Sequence, residues 1–454
     1  MSERKRIYLC LAHMSEDGME QKYVKEAFDT NWVVPLGPNV NGFEKDLEDF
    51  VNCPTESTDN TEKLSKRVVT LSSGTASVHL GLLAAGVRAG DEVLVQSFTF
   101  CASTHPVTYL GATPIFVDSE PDTWNMDPDL LEEAINDRIA KTGKKPKAIV
   151  PVALYGMPYK IDRIMEIANK YGIPVVEDAA EGFGSRYKGQ VLGTFGKYGV
   201  LSFNGNKMIT TSGGGALITA NDGEWREIMM YATQYRESYP YYQHEKIGYN
   251  YRMSNICAGI GRGQMTVANE HIDHHKHVQA LYEELLKDAD GINVHSQPKT
   301  GEYDSNYWLC TITIDPEVKI KGQENAYKTI VKGAVGGAAG VIHAAASAHT
   351  DCEPNANVEA MRVALDQAQI EARPVWKPMH KQPVYCRTRE KGKGKREKLP
   401  CGAECLTYDN SVSYVNGVSE AIFKVGMCLP AGPYVTDDDV RYIVDTIKAA
   451  IERA

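Results

Sequence analysis

The feature that most constrains the fold is an alternation of strand-like and helix-like segments between residues 67 and 219. The runs rich in β-branched and aromatic residues are RVVTL, DEVLVQS, TPIFVDS, AIVPVAL, IPVVED, YGVLSF and GGALIT. Segments with helical apolar spacing lie between several of them: TASVHLGLLAAG, DPDLLEEAIND and IDRIMEIANKYG. This alternation predicts an α/β layer with a largely parallel sheet, whose ligands bind beyond the carboxyl ends of the strands.

The pattern changes after about residue 265, where a long helical segment precedes the strand-like run NYWLCTITI. We predict that residues 1–265 form an N-terminal arm and a large domain, and that residues 266–454 form a smaller α+β domain. Two stretches of the second part look inserted, an Ala/Gly-rich one near 332–357 and a basic one at 387–398. The basic stretch lacks interleaved aromatic residues, so we interpret it as a solvated loop. The first stretch is either a loop or an added helix.

Charge and cysteine spacing exclude several classes of protein. The chain has 49 Lys and Arg against 59 Asp and Glu, a formal net charge of −10, which argues against general binding to nucleic acid or to an anionic membrane. No apolar run approaches the ~18 residues of a membrane span. The ten cysteines show neither a disulfide framework nor a zinc-knuckle spacing. We therefore expect a cytoplasmic protein with reduced thiols and no metal site.

One lysine, Lys207, stands in YGVLSFNGNKMITTSGGGALIT, between an apolar run and three consecutive glycines. A Walker phosphate loop is excluded because Asn206 separates Gly205 from Lys207, and no G-x-G-x-x-G stands near a strand-to-helix junction. Two interpretations remain for the stretch. It is a tight turn between strands with a surface lysine, or it is the seat of a covalently bound cofactor.

A phosphate-binding turn is predicted in VVTLSSGTASVHL, where a strand runs into a helix. Gly74 permits a tight turn, and the amide groups of Thr75 and Ala76 at the helix start suit a phosphate. A capped helix without any ligand is the structural alternative.

Asp178 follows the predicted buried strand in IPVVEDAAEGFGS, together with Glu177. A buried carboxylate is costly without a cationic partner, although either residue could simply cap the next helix. A sharper hypothesis is that Asp178 faces the protonated ring nitrogen of pyridoxal 5'-phosphate (PLP). Lys207, after the next strand, can then form a Schiff base, and Ser202 can donate to the phosphate.

An aromatic side chain is also needed against the pyridine ring. Phe98 and Phe100 follow a predicted strand, and either of them could instead belong to the core. The order of a phosphate turn, a stacking aromatic residue, a strand-end acid and a lysine predicts a PLP site more strongly than any single element does.

Eight segments, collinear from near the N-terminus to about residue 435, resemble the DegT/DnrJ/StrS-type sugar aminotransferases. These are PLP enzymes of fold type I, which is the aspartate-aminotransferase fold. The matching segments are NWVVPLGPNVNGFE, SSGTASVHLGLLAAGV, GDEVLVQSFTF, VDSEPDTWNMD, ALYGMPYKID, VVEDAAEGFGSRYKGQVLGTFGKYGVLSFNGNKMITTSGGG, GYNYRMSNICAGIG and ARPVWKPMH. The resemblance implies a large, mixed, mostly parallel sheet domain and a small α+β C-terminal domain.

The resemblance also implies roles for individual residues. Lys207 would carry the cofactor as an imine, Asp178 would contact its ring nitrogen, and Phe100 would stack on its ring. The phosphate would lie among Gly74, Thr75, Ala76 and Ser202. Asn250, in GYNYR, would reach the phosphate in the neighbouring subunit's site, which implies an obligate homodimer. Glu181 stands where the family often has glutamine, beside the phenolic oxygen of the cofactor.

Transamination is favoured because the chain has the lysine, whereas family members that dehydrate sugars have histidine there. The segments SFNGNK, TTSGGG, GYNYRMSN and RPVWKPMH look most like transaminases that make UDP-4-amino-4,6-dideoxy-N-acetylglucosamine, on the bacillosamine route. We therefore expect amino transfer from L-glutamate to the 4-keto group of a UDP-linked sugar. The alternatives are reaction at carbon 3, a dTDP- or GDP-linked sugar, carbon–sulfur lysis, or a non-catalytic PLP-binding regulator.

Aromatic and cationic residues outside the cofactor pocket are candidates for binding the base and diphosphate of the nucleotide sugar. For each of them a structural role is the alternative: a core anchor for the tryptophan, ion pairs for the arginines, a satisfied loop position for the histidine. The candidates are Trp32, Gly37, Pro38, Arg252, Arg373 and His380.

Overall fold

The computed structural model describes residues 5–53, 65–327, 352–386 and 412–452. Within these ranges the α-helices are α1 Met19–Asp29, α2 Pro38–Val51, α3 Gly74–Ala84, α4 His105–Tyr109, α5 Pro128–Thr142, α6 Ile161–Tyr171, α7 Asp222–Ala232, α8 Asn255–Met265, α9 Ala268–Leu286, α10 Ala356–Gln367, α11 Pro383–Cys386, α12 Val418–Val425 and α13 Asp437–Ala450. The strands are β1 Arg67–Leu71, β2 Glu92–Gln96, β3 Thr113–Val117, β4 Ala148–Val150, β5 Val176–Asp178, β6 Arg186–Tyr187, β7 Gln190–Val191, β8 Tyr198–Ser202, β9 Gly215–Thr219, β10 Ile292–Val294, β11 Tyr303–Asp304, β12 Cys310–Ile314, β13 Arg373–Pro374, β14 Val412–Tyr414 and β15 Gly426–Leu429. Each strand predicted between residues 67 and 219 is present.

The large sheet is mixed and mostly parallel. It consists of two ladders, in the orders β1-β9-β8-β5 and β14-β3-β2-β4. Parallel bridges from Ile149 to Val175 and from Val152 to Asp178 connect the two ladders between β4 and β5. Among the described strands of this sheet, only β9 runs against its neighbours, β1 and β8. The predicted α/β fold with a largely parallel sheet is therefore confirmed.

Several strands of this sheet end at one edge. β5 ends at Asp178 and β8 ends at Ser202, and these two strands are parallel. β9 runs the other way and begins at this edge, so Gly215 pairs with both Leu71 and Ser202. All five residues of β8 are buried, as expected for a strand covered on both faces. The edge thus brings together the ends of β1, β5 and β8 and the start of β9, and the lysine and glycine segment connects β8 to β9 there.

Helices cover the sheet through apolar stripes. In α6 the buried residues Ile161, Ile164, Ile167 and Ala168 recur at helical spacing, and the polar residues face outward. α3 is buried along most of its length, and a Cβ on its Gly81 would lie 3.1 Å from Val176 Cγ1. This close contact packs the later part of α3 directly against β5.

A second core surrounds an antiparallel sheet in the order β10-β12-β15-β13. Ile7, from the N-terminal arm, belongs to this core and pairs with Ile370. In the opposite direction, Val412–Tyr414 returns to the large sheet as the parallel neighbour of β3. A segment from each side of residue 265 thus packs with the other part of the chain. The predicted division into two domains at this residue stays a prediction.

The two predicted insertions lie mostly beyond the described residues, which include neither 332–351 nor 387–398. The end of the first stretch is described, and α10 begins there at Ala356. Among the helices of the described ranges, none is long and apolar enough to cross a bilayer.

Candidate active site

Lys207 lies in the turn that follows β8, with a mostly buried side chain. Its backbone amide donates to the carbonyl oxygen of Asn204 over 3.0 Å. Its Nζ lies 3.3 Å from Glu181 Oε1 and 4.1 Å from the centre of the Trp308 ring. The indole nitrogen of Trp308 donates to the carbonyl oxygen of Asn206 over 2.7 Å, which fixes the ring beneath the amine. Lys207 is therefore held in a pocket and is not an incidental surface lysine.

Asp178 is buried at the end of β5. Its Oδ2 accepts a hydrogen bond from Ser103 Oγ over 2.6 Å, and its Oδ1 accepts the Ala180 amide over 3.1 Å. Burial raises the pKa of Asp178, while these hydrogen bonds and the charge of Lys207 act in the opposite direction. In the described part of the chain Asp178 has no ion-pair partner, so its carboxylate fits a positively charged ligand group.

Glu177, the neighbouring acid, has a structural role. It is fully buried, and its two oxygens accept the backbone amides of Gly193, Phe195 and Gly196. The sequence analysis assigned Asp178, and not Glu177, to the site. Their alternation on the strand places only Asp178 toward Lys207.

Glu181 lies on the turn that follows β5 and is buried. Besides contacting Lys207, its carboxylate accepts the Tyr155 amide over 2.8 Å at Oε2. Burial raises the pKa of Glu181, and the positive charge of Lys207 opposes that rise. The side chain that the resemblance assigns to the phenolic oxygen thus also contacts the amine of the lysine.

The predicted phosphate turn is the amino end of α3. Ser73 caps the helix by accepting the Ala76 amide over 3.0 Å, while Thr75 is half-buried in the first turn. A Cβ on Gly74 would lie 2.9 Å from Ser202 Cβ, so the two predicted residues adjoin each other. The first amides of a helix have no partner within the helix, and the dipole makes this end positive. Gly74, Thr75, Ala76 and Ser202 line one cradle at this end, but Ser73 already accepts the Ala76 amide, as in the capped-helix alternative, so phosphate binding in the cradle stays a prediction.

The glycine run brings β9 against this cradle. A Cβ on Gly215 would lie 2.5 Å from Gly74 N and 2.6 Å from Ser73 O, which is too close for any side chain. A Cβ on Gly213 would meet no described atom within 4 Å. Only part of the glycine run is therefore required by close packing.

We expect Gly215→Ala to destabilise the protein and to weaken phosphate-dependent cofactor binding. The added methyl group forces the start of α3 away from β9, and such overpacking costs about 1–3 kcal/mol. Urea denaturation measures the stability, and Gly213→Ala is the matched control, expected to unfold like the wild type. Equal unfolding midpoints for the two variants would show that the close approach of β9 to α3 is not required.

Phe98 and Phe100 have different environments. Phe98 is fully buried and packs beside Trp124, with ring centres 6.4 Å apart. Phe100 is 49% exposed, and its ring centre lies 5.2 Å from that of Trp376. Phe98 is therefore a core residue, and Phe100 has a free ring face that could stack on a ligand.

A cavity of about 440 Å³ is lined by Asn206, the residue before Lys207, and by Trp308, whose ring contacts the amine, whereas Lys207 itself does not line it. Aromatic rings and one guanidinium group line it, together with backbone of the N-terminal arm. The lining residues are Tyr8, Leu9, Cys10, Leu11, Asn206, Trp308, Leu309, Glu371, Arg373 and Trp376. Arg373 lies against Glu371 Oε1, to which its Nη2 donates over 2.6 Å, and its side chain is 43% exposed. The structure thus places Arg373 at the cavity with an exposed cationic surface.

The remaining predicted substrate residues lie at other places. Arg252 forms an ion pair with Glu44 and donates to the carbonyl oxygen of Thr70, and its side chain is mostly buried. His380 contacts Ser97 Oγ through Nδ1 and Glu420 through Nε2. These partners match the structural alternatives for both residues, so their role toward substrate stays a prediction.

Trp32, Gly37 and Pro38 surround the start of α2. Trp32 is 40% exposed, and its carbonyl oxygen accepts the side-chain amide of Asn255 over 2.9 Å. Gly37 has φ +136°, and a Cβ there would lie 2.8 Å from Asn255 Oδ1. Pro38 is the first residue of α2 and is exposed. Their contribution to substrate binding stays a prediction.

Asn250 is exposed, and its backbone bridges to Thr233.

Sequence analysis did not identify Ser103, Tyr155, Trp308 and Trp376 as site residues. Trp308 lies in the run NYWLCTITI, just before β12, and no separate sequence signal marked its ring. In the described residues no cluster of His, Cys, Asp and Glu could hold a metal ion.

Comparison with known proteins gives consistent matches along the chain. A model of the DegT/DnrJ/EryC1/StrS aminotransferase family matches residues 14–333. The chain is 37% identical over 443 residues to EpsN of Bacillus subtilis (strain 168), whose name is that of a pyridoxal phosphate-dependent aminotransferase; the match covers 98% of this chain and 95% of EpsN. It is 30% identical over 440 residues to the GDP-perosamine synthase of Escherichia coli O157:H7, covering 97% of this chain and 98% of that protein.

The fold is shared with solved structures. A DegT DnrJ EryC1 StrS aminotransferase from Brucella abortus superposes with a TM-score of 0.74 at 22% identity, and the match covers 95% of each chain.

Proposed function

The chain belongs to the DegT/DnrJ/EryC1/StrS aminotransferase family, and on that premise we propose that it is a PLP-dependent transaminase of nucleotide-linked keto sugars. The observation that carries this proposal is the meeting of Lys207, Asp178 and the α3 cradle at one sheet edge.

The residues present fit PLP. Asp178 is a buried carboxylate that lacks a cationic partner among the described residues, and a protonated ring nitrogen would supply that partner. The cradle suits a phosphate group, because it lies at the amino end of α3, where the helix dipole is positive and Ser202 adjoins Gly74. Lys207 would hold the aldehyde carbon through its amine, and Phe100 would cover one ring face.

Bound PLP supplies an electron sink for the carbon that bears the transferred amino group. The residues of this chain supply the proton transfers and the orientation. Lys207 Nζ, once free, can take a proton from the reacting carbon and return it, which is general acid–base catalysis by a positioned amine. Asp178 keeps the ring nitrogen charged, and Trp308 restricts the positions that Lys207 Nζ can adopt.

For the substrates we propose L-glutamate as the donor and the 4-keto group of a UDP-linked 2-acetamido-2,6-dideoxy sugar as the acceptor. This choice is supported by the resemblance of SFNGNK, TTSGGG, GYNYRMSN and RPVWKPMH to transaminases with that product. Arg373, Trp308 and Trp376 offer a cation and flat rings in the cavity. Reaction at carbon 3 is an alternative. A GDP-linked sugar is another, since the relative from Escherichia coli is named for GDP-perosamine synthesis.

We propose that the active form is a homodimer in the cytoplasm, with Asn250 completing the site of the partner subunit. The support is an exposed apolar surface, because the protein displays large hydrophobic side chains near the start of α2 and before Asn250. These side chains are Trp32, Val33, Val34, Leu36, Tyr239, Tyr241, Tyr242 and Ile247.

A spectral assay with a panel of substrates tests the proposed function. We expect L-glutamate to remove the visible absorbance of the PLP-loaded protein, and the UDP-linked 4-keto sugar to restore it. The matched panel contains a UDP-linked 3-keto sugar and GDP- and dTDP-linked 4-keto sugars. Restoration by one of these alone would favour the corresponding alternative, whereas loss of absorbance with no restoration by any sugar would contradict a sugar transaminase.

A further inference from the structure

Glu181 and Lys207 form an ion pair that is largely closed to water. Nζ and Oε1 are 3.3 Å apart, and the two side chains are 13% and 5% exposed for lysine and glutamate, respectively. At such burial solvent screens the attraction between the two groups only weakly, while burial itself raises the pKa of Glu181.

The carboxylate of Glu181 is fixed on its other side. Its Oε2 accepts the amide of Tyr155, which has φ +54°, a left-handed conformation that costs a non-glycine residue free energy. The Tyr155 hydroxyl in turn accepts the Trp376 amide over 2.8 Å. A strained, buried turn thus holds the carboxylate toward the lysine.

Asn306 links Glu181 to the ring that faces Lys207. Its Nδ2 donates to the carbonyl oxygen of Glu181 over 2.9 Å, and its Oδ1 accepts the Trp308 amide over 2.8 Å. The Trp308 ring lies 4.1 Å from Lys207 Nζ and favours a cation there. Glu181 and Trp308 are therefore linked by hydrogen bonds through Asn306, and both contact Lys207 Nζ.

The other titratable groups around this pair are few in the described structure. Asp178 carries the second negative charge that acts on Lys207. Cys10, Tyr155 and Cys428 are buried, and burial raises the pKa of each, so all three are neutral near pH 7. Among the described groups only Glu181 lies within ion-pair distance of Lys207.

We propose that Glu181 is a positioning residue that serves as the counter-ion of the Lys207 amine in its protonated state, the state that the amine reaches when it takes a proton from the reacting carbon, and that fixes this nitrogen against the Trp308 ring. This inference deepens the proposed function and rests on it only in taking Lys207 as the lysine that holds PLP. A neutral side chain at position 181 would leave the buried Lys207 nitrogen with only the more distant negative charge of Asp178. The neutral form of the amine would then be more populated.

Competitive labelling tests the proposal on the full-length protein freed of cofactor. A trace of isotopically labelled acetic anhydride reacts only with neutral amines, and mass spectrometry follows the peptide that contains Lys207 across pH. We expect Glu181→Gln to lower the midpoint of Lys207 labelling by about 1–3 pH units, the usual effect of an opposite charge at this distance. At a pH below both midpoints, a shift of 1–3 pH units corresponds to a rise of about 10- to 1,000-fold in the labelling rate of Lys207.

Two further variants serve as controls. Glu371→Gln removes a carboxylate that lines the 440 Å³ cavity beside Trp308 and pairs with Arg373, not with Lys207. It is expected to leave the midpoint of Lys207 labelling unchanged. Glu181→Asp keeps the charge on a shorter side chain and is expected to give a midpoint between those of wild type and Glu181→Gln. It also provides the comparison if Glu181→Gln folds poorly.

A Lys207 midpoint that is the same or higher in Glu181→Gln would overturn the counter-ion role. With PLP bound, the pH at which the visible band changes is expected to move downward in the same variant. The labelling result does not depend on turnover. If the wild type gained no visible absorbance with PLP, the proposed function would be contradicted, while a lowered labelling midpoint would still support the ion pair.

Discussion

Lys207→Ala is expected to abolish covalent attachment of PLP and to lower the rate of amino transfer by on the order of 10⁴-fold or more. The variant loses the amine that would hold the aldehyde and also the group that moves the proton at the reacting carbon. The absorbance spectrum of the PLP-loaded protein measures the first effect, and single-turnover amino transfer from glutamate measures the second.

Lys197→Ala is the matched control for this variant. Lys197 lies ten positions earlier in the sequence, is 44% exposed and pairs with Glu224 at 3.7 Å. We expect its replacement to leave both the spectrum and the rate unchanged. Persistence of a covalent cofactor band and of turnover in Lys207→Ala would show that another residue holds the cofactor.

Asp178→Asn is expected to have the second largest effect, a loss of roughly 10²–10³-fold in turnover, as when one preorganised electrostatic contact is removed. The amide cannot hold a protonated ring nitrogen, so the cofactor loses much of its capacity to accept electrons. Half-reaction kinetics with glutamate measure the loss, and fluorescence titration of the cofactor-free protein measures the weakened binding of PLP.

The stability of Asp178→Asn without cofactor separates a functional role from a structural one. Burial raises the pKa of Asp178, so its native carboxyl group holds a proton more readily than the unfolded chain does. The Asp178 carboxyl group therefore contributes most to the free energy of unfolding at a pH below its pKa in the unfolded chain. This contribution is lost as the pH rises through its higher pKa in the folded protein. At neutral pH we expect the cofactor-free variant to be at least as stable as the wild type in urea.

Glu177→Gln is the control on the same strand. Glu177 accepts three backbone amides, so its replacement is expected to lower stability and to leave the affinity for PLP unchanged. If Asp178→Asn unfolded as readily as Glu177→Gln and still bound PLP normally, Asp178 would be a structural acid and not a ligand of the cofactor.

The large sheet could be predicted from the sequence because its strands are short apolar runs with regular spacing. β1, β8 and β9 lie where RVVTL, YGVLSF and GGALIT predict them. The meeting of Asp178 and Ser202 also follows, because parallel strands that pair must end at the same edge. Local patterns and one rule about parallel sheets thus locate the acid and the phosphate cradle.

The rest of the site depends on contacts between segments distant in sequence, for which periodicity gives no signal. Trp308 lies 101 positions after Lys207 in a strand-like run, and only tertiary packing brings its ring under the amine. Tyr155 joins the site through a strained turn whose φ is not encoded by a glycine. The ion pair of Arg252 with Glu44 likewise joins segments 208 positions apart.

The central claim, that Lys207 is the residue that holds PLP, is tested most directly by peptide mass spectrometry. The protein is loaded with PLP, reduced with borohydride to make any bond between lysine and cofactor permanent, and digested. We predict a phosphopyridoxyl group on the peptide containing Lys207 and on no other lysine peptide. A phosphopyridoxyl group on a different lysine, or on none, would contradict the account.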